Sequence, residues 1–157
     1  MNSRIETMLS SLNDSDLQSQ IAPGRNQVYY ILGHLAAVHD LLLPLLEIGE
    51  RLNPELDEFF IKNPDRTFQD TFTAAEFRQM FTEVNATVTS EMETMPLAGL
   101  LKRHGLVSEE DFAKEPLRNR LALLEIRAAH AMYHAGQIRL IEIAHETPER
   151  NTASKAS

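Results

Sequence analysis

Six histidines and no cysteine leave nitrogen and oxygen as the side-chain donors this chain of 157 residues can offer a transition metal. Two of them, His130 and His134, stand four residues apart in a segment that reads as one long helix. An ideal helix advances about 100° per residue, so Leu123, His130, His134 and Ile141 fall within roughly a 40° sector. Ile126, Ala131 and Ile138 flank that sector, while Arg118, Glu125, Met132 and Arg139 lie on the other side. Imidazoles at i and i+4 project in one direction and can share one ion.

A second apolar stripe, Tyr30, Ile31, His34, Val38, Leu41 and Leu45, places His34 on the core face of another helix. His39, rotated by about 140° from His34, points elsewhere. Two such helices facing each other can set His34 opposite the His130/His134 pair. Three imidazoles plus an open fourth position is the usual arrangement of catalytic zinc. Neutral imidazole suits zinc, nickel or iron, and the spacing does not choose among them; manganese is also open. Ala131 follows His130, which excludes the His-Glu-x-x-His protease motif. The Glu-x-x-His pattern of di-iron bundles is missing from these helices. Two other readings of the same histidines stand beside this one. They can be core polar groups satisfied by hydrogen bonds, in a non-catalytic bundle that works through dimerisation or partner binding. They can also form a structural metal site with no place for substrate.

The elements that must position these residues are helical. Ile5, Met8, Leu9 and Leu12 mark a first amphipathic helix over 2–12, and Asn13 to Asp16 offers caps for one short turn around Leu17. Pro23-Gly24 is a breaker. A second helix is predicted from about Asn26 to Arg51, kinked near Pro44, whose nitrogen cannot donate. Pro54 and Pro64 fall in a connecting stretch with an apolar patch at Leu56, Phe59, Phe60 and Ile61. Thr73-Ala74-Ala75-Glu76 fits a capping box at the start of a third helix. That helix carries Phe77, Met80, Phe81, Val84, Val88, Met92 and Met95 and ends at Pro96. A short helix is predicted at Ser108 to Asp111. The fourth helix runs from Pro116 or Leu117 to Ala144 or Glu146. The fold class is therefore all-α, a four-helix bundle, with one domain over 1–146 and a polar tail over 147–157 expected to be disordered.

Composition narrows the function. Fifteen Lys+Arg against 23 Asp+Glu give a formal charge of -8, which opposes binding to nucleic acid and to anionic lipid. No apolar leader opens the sequence. The densest apolar run, Val28 to Leu46, is interrupted by Gly33, His34, His39, Asp40 and Pro44 and reads as a buried helix rather than a membrane span. These features predict a cytoplasmic protein.

The segment His130-Ala131-Met132-Tyr133-His134-Ala135-Gly136-Gln137-Ile138 resembles the closing H-x-x-x-H-x-G-Q-I signature of the DinB-like superfamily, small metal-dependent four-helix bundles. Ile31-Leu32-Gly33-His34-Leu35 is similar to that family's second-helix segment, and Thr73 to Glu76 sits where its third helix begins. The resemblance spans roughly 5–146. It implies a metal triad of His34, His130 and His134, a divalent metal with zinc or nickel commonest, and often a homodimer. Relatives include thiol S-transferases and a thiol-dependent maleylpyruvate isomerase. The expected function is a metal-dependent enzyme of thiol-transferase or hydrolase type, acting on a small molecule with a low-molecular-weight thiol as cosubstrate.

Other residues carry weaker signals. Arg120 and Arg127 fall near the inward arc, where an arginine either binds a substrate carboxylate or pairs with a neighbouring carboxylate. Tyr30 and Tyr133 can donate a hydrogen bond near the metal or simply pack with their hydroxyls at the rim. Gln137 can orient a ligand histidine, and Gly136 is expected to permit close helix approach. His104 and His145 are expected at the surface, and Glu109, Glu110 and Asp111 at a solvated helix start.

Overall fold

The computed structural model describes residues 2–146, so the predicted tail over 147–157 lies outside the described residues. Four long helices dominate: α1 (Asn2–Ser11), α2 (Val28–Asp40), α5 (Ala74–Thr94) and α8 (Arg120–Glu146). Short helices α3 (Leu42–Leu45), α4 (Leu56–Phe60), α6 (Leu97–Leu100) and α7 (Glu109–Lys114) lie between them. α2 packs on both α5 and α8, and α1 packs on the same two helices, which closes the bundle. Among the described residues there is no strand, so the all-α expectation holds.

The local signals act as expected where they are strong. Thr73 accepts from the Glu76 amide at 3.2 Å, and the Glu76 carboxylate accepts from the Thr73 amide at 2.7 Å, completing the capping box of α5. Ser108 caps α7 by accepting from the Asp111 amide. A single turn of 3-10 helix, Asp16–Gln18, buries Leu17. Arg78 of α5 donates to the Leu9 and Leu12 carbonyls, satisfying the open C-terminal end of α1.

Three boundaries differ from the sequence reading. The helix predicted over 26–51 is divided into α2 and α3 at Leu41, because Pro44 cannot supply the amide that would continue the ladder. α8 starts at Arg120 rather than near Pro116, because Asn119 caps it by accepting from the Ala122 amide at 2.9 Å. Leu117 is accordingly left outside the helix and is 77% exposed. The stretch read as a connection also folds: α4 inserts Leu56 and Phe60, both fully buried, into the core. Phe60 lies among Tyr29, Phe68, Phe72 and Phe77 at ring separations of 5.3–6.2 Å. Tyr29 brings its hydroxyl into that cluster and satisfies it by accepting from the Thr71 and Phe72 amides.

The apolar window Val28–Leu45 has the length and hydropathy of a membrane span, but 72% of it is buried inside this bundle. Its one carboxylate, Asp40, is fully buried and fully engaged. It accepts from Arg51 Nε at 2.6 Å, the Leu52 amide at 2.9 Å and the Asn53 amide at 3.0 Å. Arg51 in turn makes a two-pronged pair with Asp57 in the first turn of α4. Asp40 and Arg51 thus tie the end of α2 to the start of α4.

Candidate metal centre

α2 and α8 bring His34, His130 and His134 together, each half-buried, with one nitrogen of each within 4.8 Å of the others. The ring centroids of His130 and His134 are 4.6 Å apart, and that of His34 lies 5.3 and 5.5 Å from them. His130 Nε2 and His134 Nε2 stand 3.1 Å apart. Two nitrogens bound tetrahedrally to one zinc at about 2.0–2.1 Å are about 3.3 Å apart, so this pair already has nearly that spacing.

The outer nitrogens are held by the protein. His34 Nδ1 lies 3.0 Å from the Phe60 carbonyl oxygen, and an acceptor there requires Nδ1 to carry the proton. His134 Nδ1 lies 2.7 Å from Gln137 Oε1, which acts in the same way, and Gln137 Nε2 donates to the Tyr133 hydroxyl at 3.0 Å. In both rings Nε2 is left with its lone pair for a ligand bond, the usual role of groups that orient metal-binding histidines. Burial pushes the His130 ring down to about 4, with further lowering from His134, His34 and Arg127. Burial also lowers His134, against the opposing effect of the hydrogen bond it donates to Gln137. Neutral imidazole is the form that binds a metal, so the donor set fits a divalent ion of borderline softness.

Glycine 33 makes the Phe60 contact geometrically feasible. A Cβ built there would overlap the Phe60 ring, which is wedged in the aromatic core and cannot yield. The absence of a side chain lets α4 approach α2 closely enough for its carbonyl to reach His34. Gly33→Ala is expected to lower unfolding free energy by about 1–3 kcal/mol and to weaken metal uptake with it. Urea denaturation and metal titration of the same variant check both effects. Gly136, expected from the sequence to permit close helix approach, has open space where its Cβ would sit.

The remaining sequence candidates fall in different places. Tyr30 stacks parallel to His34 at 6.3 Å and donates its hydroxyl to the Asn63 carbonyl, so it forms a wall beside the histidines. Tyr30, His34 and His134 line a cavity of about 200 Å³ with Asn26 and Ile31. Tyr133 is 63% exposed and meets the centre through Gln137. Arg120 pairs with Glu47 and makes a long contact to the Arg103 carbonyl, which is the ion-pair alternative for that residue. Arg127 lines a separate cavity on α8. The Phe60 carbonyl and Asp40 were not singled out from the sequence. An aspartate inside an apolar run is the one signal that pointed to the latter.

His39, the histidine expected to face away from the other three, stacks on Phe81 at 4.4 Å. Burial pushes it down to about 4, against weaker raising effects from Asn85 and Asp40. An unfolded-chain imidazole titrates near 6.5, so the unfolded state takes up the proton first as pH falls. The associated stability is present above pH 6.5 and is lost toward pH 4, up to about 3 kcal/mol. Replacing His39 by Gln in metal-free protein is expected to flatten the pH dependence of unfolding in that window. An unchanged slope would refute the assignment.

The sequence matches the DinB superfamily model over residues 1–138, which spans α1 to α7 and the part of α8 bearing both histidines. Among solved structures, the crystal structure of a conserved protein from Enterococcus faecalis is similar, with a TM-score of 0.56 and 20% identity over 88% of each chain. That likeness concerns the fold. No curated protein matches the sequence. Bundle, histidine spacing and family match agree, and the chain belongs to the DinB superfamily.

Proposed function

We propose that this protein is a divalent-metal-dependent enzyme of thiol-transferase or hydrolase type, with His34, His130 and His134 holding the metal. The observation that carries this reading is the convergence of three imidazoles, two of which have their outer nitrogens engaged by Phe60 and Gln137. All-nitrogen donors favour zinc or nickel. When bound, such an ion would lower the pKa of a thiol or water placed against it. The chain has no cysteine, so a reactive thiol would come from a cosubstrate, which fits a reducing cytoplasm. Tyr30 forms one wall of the cleft and Gln137 sets the His134 ring. The cleft of about 200 Å³ accepts a small reacting group and leaves the rest of the substrate outside.

Protein purified without a histidine tag is expected to retain about one equivalent of zinc or nickel. A trace content, with no thermal shift on adding either metal, would overturn the metal reading. With metal in place, thiolate absorbance should rise when a low-molecular-weight thiol is added near neutral pH. If it does not, the thiol-transferase reading fails while the metal reading stands.

A homodimer is part of the same proposal. The sequence places Ile126 beside the buried arc, but the structure exposes it by 63%. With Tyr133 and Leu140 it forms an apolar stripe along the outer face of α8. A single helix face of this kind suits self-pairing about a two-fold axis. The double variant Ile126→Glu/Leu140→Glu is expected to shift the sedimentation mass from two chains to one, whereas a monomeric parent would rule the dimer out.

A further inference from the structure

A second and larger cavity, of about 350 Å³, lies between α5 and α8 and shares no lining residue with the cleft at the histidines. Its walls are apolar: Leu42 from α3, Phe81, Val88 and Met92 from α5, and Leu124 and Ala131 from α8. Of α1, only Ile5 reaches it among the described residues. A cavity of about 150 Å³ suffices for a benzene ring, so this one has room for a larger apolar body.

One cation faces this space. Arg127 is half-buried, its Nε is buried, and no hydrogen bond or ion pair joins it among the described residues. The described ion pairs engage Arg51, Lys62, Arg66, Arg103, Lys114 and Arg120. Burial without a counter-charge also lowers Arg127 from its usual value, so the site holds a guanidinium that burial disfavours. Two other lining atoms, His39 Nε2 and Asn85 Oδ1, are also buried without a hydrogen-bond partner, but both belong to side chains that are neutral near pH 7, and the Asn85 amide donates to Glu6 at 2.9 Å. Glu93 stands exposed at the mouth, where solvent screens it. On a chain of net charge -8, a generic anion is not drawn in by the overall field, so the pull must come from Arg127 itself.

We infer that this cavity binds a small monocarboxylate with a compact apolar body, such as a medium-chain fatty acid, with its carboxylate on Arg127 and its chain among Phe81, Val88, Met92 and Leu124. Guanidinium and carboxylate match in shape and charge, and burial of the apolar body excludes water from the pair. The inference does not depend on a metal at the histidine centre.

Calorimetric titration of the metal-free full chain with octanoate and with 1-octanol tests it. The two probes share an apolar body and differ in charge. Octanoate is expected to bind about tenfold more tightly than octanol, and Arg127→Gln should bring the two together. His134→Ala should leave octanoate affinity unchanged. Equal affinities in the parent, or no saturable octanoate binding at millimolar concentration, would overturn the proposal. So would loss of binding in His134→Ala, which would place the carboxylate at the histidines. Should Arg127→Gln fail to fold, the Arg127 Nε–H resonance of the parent decides: it should move with octanoate and stay in place with octanol.

Discussion

His134→Ala is expected to reduce affinity for zinc or nickel by more than about 100-fold. Loss of a group that merely orients a ligand histidine already lowers metal affinity about 10–100-fold, and this change removes the ligand itself. It also abolishes the 2.7 Å contact from Gln137 and leaves His130 Nε2 without the neighbour that stands 3.1 Å away. Gln137→Leu should therefore fall between parent and His134→Ala, because the ring remains but its orientation is no longer held. The helix itself should be indifferent, since alanine is the best helix former and His134 is only half-buried. The measurement is isothermal titration with each metal, alongside circular dichroism to show that α8 is intact. If the variant binds metal like its parent, the three imidazoles are core polar groups, and the non-catalytic bundle becomes the better account. If metal removal unfolds the parent, the site is structural. The apolar core around Tyr29, Phe60 and Phe77 contains none of the three ligands, so the bundle is expected to stay folded without metal.

Asp40→Ala is expected to lower unfolding free energy by about 3–5 kcal/mol. Removing this fully buried carboxylate leaves Arg51 with Asp57 as its one remaining partner, and the Arg51 Nε–H and two backbone amides lose their acceptor. Asp57→Ala should matter less, by about 1 kcal/mol, because that carboxylate is more exposed and Arg51 keeps Asp40. Urea denaturation of the two variants gives the ranking. Equal effects would show that Arg51 rather than Asp40 organises the loop. The consequence reaches the metal centre. Asp40 and Arg51 seat α4 through Asp57, and α4 supplies the carbonyl that holds His34. Asp40→Ala should thus lower metal affinity even though Asp40 touches no ligand.

Sequence periodicity by itself determined the long helices and the face on which the three histidines lie. Both depend on contacts within a few residues: the ladder of backbone hydrogen bonds, the capping box at Thr73, and the i, i+4 projection of His130 and His134. Such features are written in spacing, and the H-x-x-x-H-x-G-Q-I segment added the family. What spacing could not reveal depended on chain closure. The stretch around Phe60 is too short and irregular to declare its period, and it becomes core only because Gly33 lets it approach. His34 and Phe60 are 26 positions apart, and no local rule links them. Arg120 and Arg127 lie on one helix seven residues apart, close to two full turns, yet one found Glu47 and the other faces an apolar cavity. Which arginine is paired depends on what the neighbouring elements present to it. Only the tertiary structure decides that, because burial and partnership are properties of the space between helices and not of the order of residues along them.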